Sequence, residues 1–280
     1  MKLGILMFPT RPPVDVAVVA TNAEALGFDS LWVGEHPVMP VHSTSPFPGS
    51  PDGVIPPSYS WFVDPFVALA RASAVTTTLT LGTGITLVPE RHPLLLAKEV
   101  ATLDYFSGGR FRFGIGAGWN REKTTIMGGD FDRRWSQTRD AVAAMKRLWA
   151  TGEAEYHGTY DDFPPVRSFP KPIQQPHPPI FLGGTAKQVY KRIVEYGNGW
   201  MPARSTPELI QQGREVLNEL APEAGRDPTS IEIVAYIAPA DRAKLQALEN
   251  AGADAAVMLL ASQPESAALA ELEQIAQKVL

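Results

Sequence analysis

The stretch Leu79–Asn120, LTLGTGITLVPERHPLLLAKEVATLDYFSGGRFRFGIGAGWN, constrains this chain more than any other. Thr80–Gly84 is short, rich in β-branched residues and contains no helical period. Pro93 stands where a first helical turn tolerates proline. Leu94, Leu95, Ala97, Lys98, Ala101 and Leu103 follow with helical spacing. Ser107-Gly108-Gly109 stops that helix, because glycine adopts the left-handed conformation of a helix end without steric cost. Arg110–Gly116 begins the next strand. Strand, helix and strand in this order form a βαβ unit. Its chemistry belongs beyond the strand C-termini, near Gly84–Thr86 and Gly116–Trp119.

The alternation continues along the chain. Strands are expected at Lys2–Phe8, Ser30–Gly34, Pro179–Gly183, Gly199–Ala203, Ile231–Ile237 and Ala255–Leu260. Helices are expected at Val14–Leu26, Pro65–Val75, Arg134–Thr151, Ala186–Tyr196, Pro207–Leu220, Asp241–Ala251 and Glu265–Val279, with Asp64 capping the second. Glu155–Tyr160 reads as a small hairpin with a His-Gly turn. The proline clusters Pro37–Pro57 and Pro164–Pro179 read as loop insertions. Eight strands alternating with eight helices predict an α/β fold, a (β/α)8 TIM barrel with loop insertions, as one domain over residues 1–280. A doubly wound open sheet would carry a phosphate-binding glycine loop after its first strand, where this chain has Met7-Phe8-Pro9-Thr10.

Composition narrows the function. A net charge of −5 argues against nucleic acid as a partner. The chain has no cysteine, which excludes disulfides, thiolate metal sites and a cysteine nucleophile. Its histidines, at 36, 42, 92, 157 and 177, lack metal-ligand spacing, and there is no GxSxG elbow. No metal is expected. Neither a signal peptide nor a membrane span is expected, so the protein reads as cytoplasmic with no membrane partner.

The chemistry-bearing residues gather after the strands. Glu35-His36 directly follows the second strand, where a carboxylate beside an imidazole suits acid–base work; alternatively, His36 bonds a loop carbonyl. Gly84-Ile85-Thr86 ends the third strand, and its glycine admits either a bulge under a flat ring or a plain turn. Gly116-Ala117-Gly118-Trp119 ends the fourth; Trp119 either walls an aromatic ligand or covers the barrel mouth. Gly183-Gly184-Thr185 precedes a helix, a pattern that fits an anion site as well as simple capping. Arg204 adds a charge that would serve the same phosphate, or is merely exposed. Arg91-His92 reads as a solvated loop.

Together these pieces resemble the bacterial luciferase-like monooxygenase superfamily, and within it the branch using the deazaflavin coenzyme F420. The resemblance rests on AEALGFDSLWVGEH at 23–36, on residues 81–120, on PKPIQQPHPPIFLGGT at 170–185 and on AGADAAVMLL at 251–260. It implies a TIM barrel holding a flavin or deazaflavin at its C-terminal mouth. It also implies a ring-supporting bulge at Gly84-Ile85, often with a cis peptide. Gly183, Gly184 and Thr185 would face the cofactor, and His36 would lie near its reactive ring. The implied activity is hydride transfer between F420 and a small-molecule substrate, with FMN-dependent monooxygenation or non-catalytic cofactor binding as alternatives. In that reading His36 is the proton partner, Glu35 orients it, and Gly84, Ile85, Thr86, Gly116, Gly118 and Arg204 bind cofactor. Phe8 and Trp119 line the substrate side, the Pro37–Pro57 loop is a lid, and the protein is a homodimer. Two residues depart from the pattern. Trp119 stands where the branch's sugar-phosphate dehydrogenases carry glutamate, and Lys123 where many relatives have an acid after Glu122.

Overall fold

Parallel strands covered on both faces need apolar residues at almost every position. The strands of this chain meet that need: Ser30–Val33 and Ile180–Gly183, for example, are buried throughout. The computed structural model describes residues 1–280 except 12, 13 and 151. In chain order its strands are β1 (Lys2–Met7), β2 (Ser30–Val33), β3 (Thr80–Thr83), β4 (Thr86–Leu87), β5 (Phe111–Gly116), β6 (Ala154–His157), β7 (Asp162–Val166), β8 (Ile180–Gly183), β9 (Gly199–Met201), β10 (Glu232–Tyr236) and β11 (Ala255–Leu260). Its helices are α1 (Val16–Leu26), α2 (Pro65–Ser73), α3 (Pro93–Phe106), α4 (Arg121–Ile126), α5 (Arg134–Ala150), α6 (Gln188–Tyr196), α7 (Pro207–Glu223), α8 (Arg242–Asn250) and α9 (Glu265–Val279).

The barrel closes as β1-β2-β3-β5-β8-β9-β10-β11, with β11 pairing back onto β1 in parallel register from Lys2↔Ala255 to Met7↔Leu260. The fold is the expected (β/α)8 barrel. Inside it, Leu6, Trp32, Phe181, Met201, Val234 and Val257 form a filled plug. Trp32 fits because Gly82 faces it; a Cβ at Gly82 would sit 2.3 Å from the indole. A second, larger core lies between strands and helices.

Several expectations need correction. The third strand does not run through to Gly84. It breaks after Thr83 at a cis Gly84–Ile85 peptide and resumes as β4 beside β5. The hairpin pairs β6 with β7, and its turn is closed by the Gly158 N–H donating to the Asp161 carbonyl. β7 contains Pro164 and Pro165 inside a segment expected to be loop; a two-stranded ribbon tolerates them, since an edge strand leaves one side of its backbone unpaired. Helix α4 was not expected. Asn120 caps it, with Oδ1 accepting from the Lys123 N–H at 2.7 Å. Helix α6 begins at Gln188 rather than Ala186. The helix expected to reach Thr151 is described to Ala150, and Thr151 lies outside the described residues. Among the described residues, no helix is long and apolar enough to cross a membrane.

Glu24, on α1, ties the lower end of β3 to the helical layer. One of its carboxylate oxygens accepts from the N–H groups of Thr77, Thr78 and Leu79 and from the Thr78 hydroxyl, at 2.6–2.9 Å. Burial pushes its pKa up, but these donors outweigh burial and hold it at about 2. Glu24→Ala is expected to cost about 1–2 kcal/mol at neutral pH, allowing for solvent screening. A depressed folded-state pKa contributes its stability in full above the unfolded value and loses it as pH falls through about 2. Urea unfolding of both proteins should therefore show a gap at pH 7 that shrinks near pH 2. An equal gap at both would refute the assignment.

Candidate functional site

The C-terminal ends of β2, β3, β5 and β8 meet at the barrel mouth, and the sequence-predicted residues divide there by role. Ile85 projects from the cis bulge over two bare positions. A Cβ at Gly116 would lie 2.1 Å from Ile85 Cδ1, and one at Gly183 would lie 2.9 Å from it. These glycines thus make room for Ile85 rather than for a ligand. Ile85 packs with Phe8 and Tyr236 on the barrel plug, forming the floor of the mouth. The Tyr236 hydroxyl donates to the Gly84 carbonyl at 2.7 Å and fixes the bulge from below. Thr86 follows the bulge, wholly buried, and its hydroxyl has no partner among the described residues.

Glu35 and His36 are adjacent in sequence but point to different work. Glu35 is buried, with Oε2 accepting from the Leu87 N–H at 2.7 Å and Oε1 from Arg91 Nε at 2.6 Å. Burial pushes its pKa up, and the Arg91 guanidinium and the Leu87 N–H oppose that. Glu35 therefore does not orient His36; its hydrogen bonds run to Leu87 of β4 and to Arg91, in the turn before α3. Arg91 is not a solvated loop residue either. Besides Glu35 it holds Asp64, the N-cap of α2, at 2.6 Å and Glu99 on α3 at 2.9 Å.

His36 is half-buried in an aromatic wall. Its ring centroid lies 4.7 Å from that of Tyr59, 4.9 Å from Phe62 and 6.2 Å from Trp119. Its polar partner is Lys123 on α4, whose Nζ is 2.8 Å from His36 Nδ1. Lys123 is fully buried and pairs on its other side with Glu90, at 3.3 Å. Burial first, and then the Lys123 charge, hold the His36 pKa down to about 3, so the imidazole is neutral at physiological pH. Trp119 faces Phe47 at 5.6 Å, and Phe47 faces Tyr59 at 4.9 Å. The Pro37–Pro57 segment therefore lies across the mouth. It is fastened by Glu122, whose carboxylate accepts from the hydroxyls of Ser43, Thr44 and Ser45 and from the Thr44 N–H, at 2.7–3.0 Å. Phe8, Tyr59 and Phe62 also border a cavity of about 260 Å³ with Thr10, Arg11 and Ser262.

The remaining residues lie around the rim. Gly118 takes a φ of +79° next to Glu90 and Thr124. Gly184 takes a φ of +104°, with open space where its Cβ would be. Thr185 is exposed, and helix α6 beyond it has no side-chain cap. Arg204 reaches the Pro48 carbonyl at 3.4 Å, toward the crossing loop rather than the Gly183–Thr185 turn. Among the described residues no group of three His, Asp or Glu is placed to hold a metal. Tyr59, Phe62, Phe47, Glu90 and Lys123 carried no sequence signal as site residues. Aromatic spacing in a proline-rich loop has no period, and a charge after a glycine turn is normally solvated.

Comparison with known proteins places this geometry. The profile described as "Luciferase-like monooxygenase" matches residues 1–278. An uncharacterized protein of Mycobacterium tuberculosis is 36% identical over 230 residues, covering 81% of this chain and 80% of the relative. A monooxygenase from Streptomyces bottropensis superposes with a TM-score of 0.80 at 23% identity, covering 99% of this chain and 98% of the other. The coenzyme F420-dependent tetrahydromethanopterin reductase of Methanopyrus kandleri superposes with a TM-score of 0.77 at 20% identity, with the same coverage.

Removing one partner of a buried ion pair strands the other charge. Arg91 retains Asp64 and Glu99, so Glu35→Ala is expected to cost about 3 kcal/mol, the lower end for such a change. His36→Ala is expected to cost about 1 kcal/mol, near the average for a point mutation. Urea unfolding of the two variants checks the order. If Glu35→Ala proves the milder change, Glu35 is not the strut described above.

Proposed function

Because the chain belongs to the luciferase-like monooxygenase family, we propose that it is an oxidoreductase transferring a hydride between coenzyme F420 and a small organic substrate. The observation that carries this reading is His36. It is a neutral imidazole at the mouth, held at Nδ1 and walled by aromatic rings. Hydride transfer to or from a polar double bond needs a proton partner at the other atom, and a neutral imidazole is suited to it. When bound, the deazaflavin supplies the hydride; the protein supplies position and exclusion of water.

The residues of the mouth fit such a cofactor in part. The Thr86 hydroxyl is a buried group in want of a partner, which a bound ring edge would provide. The open side of Gly184 and the uncapped start of α6 suit the anionic tail. Gly116 and Gly183 leave their side-chain space to Ile85 and so seat the floor of the mouth beneath it. The aromatic side chains Phe8 and Trp119, with the 260 Å³ cavity beside Phe8, suit an apolar substrate. Full-length likeness to the F420-dependent reductase of Methanopyrus kandleri supports the deazaflavin reading. Comparable likeness to the Streptomyces monooxygenase supports a second one, an oxygenase, for which FMN is the cofactor we propose. A cytoplasmic homodimer belongs to the same proposal. Val67 on α2 and Leu95 and Phe106 on α3 are exposed and offer apolar area for it.

Fluorescence titration with F420 and with FMN separates the two readings. Saturable binding of F420 and none of FMN is expected; the reverse selects the oxygenase. Valine at position 184 would oppose the φ of +104°, so Gly184→Val is expected to weaken F420 binding at least tenfold, about 1.4 kcal/mol. Unchanged affinity would remove this turn from the site. Screening reduced F420 against unsaturated carbonyl compounds and imines then supplies a substrate. With it, His36→Ala is expected to lower kcat by about 10²–10⁴-fold while the cofactor Kd changes far less. Wild-type turnover by that variant would reduce His36 to part of the wall.

A further inference from the structure

Lys123 has no solvent contact, and an ammonium is tolerated out of water only where charge and hydrogen bonds answer it. Glu90, equally secluded, answers it from one side with Oε2 at 3.3 Å. On the other side its partner is the ring of His36, with Nδ1 at 2.8 Å. An ammonium has three donors and no acceptor. Nδ1 must then accept, and the single proton of a neutral imidazole lies on Nε2.

We infer that Lys123 is a positioning residue that fixes His36 as an Nε2–H donor, and that the site therefore runs toward reduction of a carbonyl or imine. The direction and substrate class rest on the hydride-transfer function proposed above; the tautomer does not. In the reduction, a bound reduced deazaflavin would supply the hydride to carbon as the double bond breaks. The electron pair left on oxygen or nitrogen takes the proton from His36 Nε2. Nδ1 takes a proton from Lys123 as Nε2 gives its own, so the ring stays neutral throughout. Lys123 is left as an amine beside Glu90; once product leaves, water returns a proton to the open Nε2 and Nδ1 passes its own back to Lys123. Alcohol oxidation by the same route needs Lys123 already deprotonated; burial lowers the Lys123 pKa, and the ion pair with Glu90 at 3.3 Å works against that loss.

The groups facing His36 are few. Lys123 approaches from α4 with Glu90 behind it, and Tyr59 from the turn Pro57–Trp61. Burial raises the Tyr59 pKa, so its hydroxyl stays neutral. The neighbouring Glu35 is engaged by Arg91.

Nitrogen-15 NMR of the cofactor-free protein reads the ring directly. Wild-type His36 is expected as a single Nε2–H tautomer, with no titration between pH 5 and pH 8. Lys123→Met paired with Glu90→Gln, which leaves no buried charge alone, is expected to give a mixture of both tautomers. Lys123→Gln in the same Glu90→Gln background keeps an N–H donor and should restore the Nε2–H form. A wild-type proton on Nδ1, or unchanged ring shifts in the double variant, would overturn the positioning role. If F420 fails to bind while the tautomer is as described, the proposed function falls and the role of Lys123 stands. With a substrate in hand, the double variant should lose at least tenfold in kcat for carbonyl reduction at unchanged KM, with partial rescue by Lys123→Gln. Faster alcohol oxidation than carbonyl reduction by the wild type at pH 7 would overturn the direction.

Discussion

The buried ion pair between Arg91 and Glu35 is the interaction on which the mouth of this barrel depends. The Arg91 guanidinium reaches Glu35 after β2, Asp64 at the head of α2 and Glu99 on α3, so two successive βα units are fastened at one point. Buried pairs of this kind add little net stability against an apolar alternative, but they are unforgiving of displacement. What they supply here is register. With Glu35 held by Arg91 just past the end of β2, the chain carries the next residue, His36, to Lys123 and the aromatic wall of the mouth.

The mouth itself is built from two kinds of contact. Below, apolar packing of Ile85, Phe8 and Tyr236 on the barrel plug sets the floor. Above, aromatic rings from the long loop stand against His36 and Trp119, and a single carboxylate, Glu122, gathers the loop's hydroxyls. Between them lies a buried polar line, from Glu90 through Lys123 to His36. Low dielectric strengthens each link in such a line, and it raises the cost of leaving any member unmatched.

Much of this architecture was legible in the sequence, for identifiable reasons. Apolar runs such as SLWV and IFLG can only be strands covered on both faces, and proline at the first turn with glycine at the last marks the helices. The bulge at Gly84-Ile85 was legible through its motif. The partner of Glu35 was not, because Arg91 lies on another βα unit and nothing local marks an arginine as buried. Lys123 was hidden for the opposite reason: a lysine in a helical turn after glycines is usually solvated, and only the fold brings Glu90 behind it. The second hairpin strand was masked by Pro164 and Pro165, whose cost vanishes at an edge.

The relation of Ile85 to Gly116 and Gly183 has a consequence for how this mouth can diverge. The three positions, one in the bulge between β3 and β4 and the others on β5 and β8, share one parcel of volume. A methyl group added at either glycine has no room while isoleucine is present, and a smaller residue at 85 leaves a void above both. None of the three can drift alone, yet volume can be exchanged among them with the backbone unchanged. The depth of the floor is thus inherited as a single trait written at three separated places in the chain.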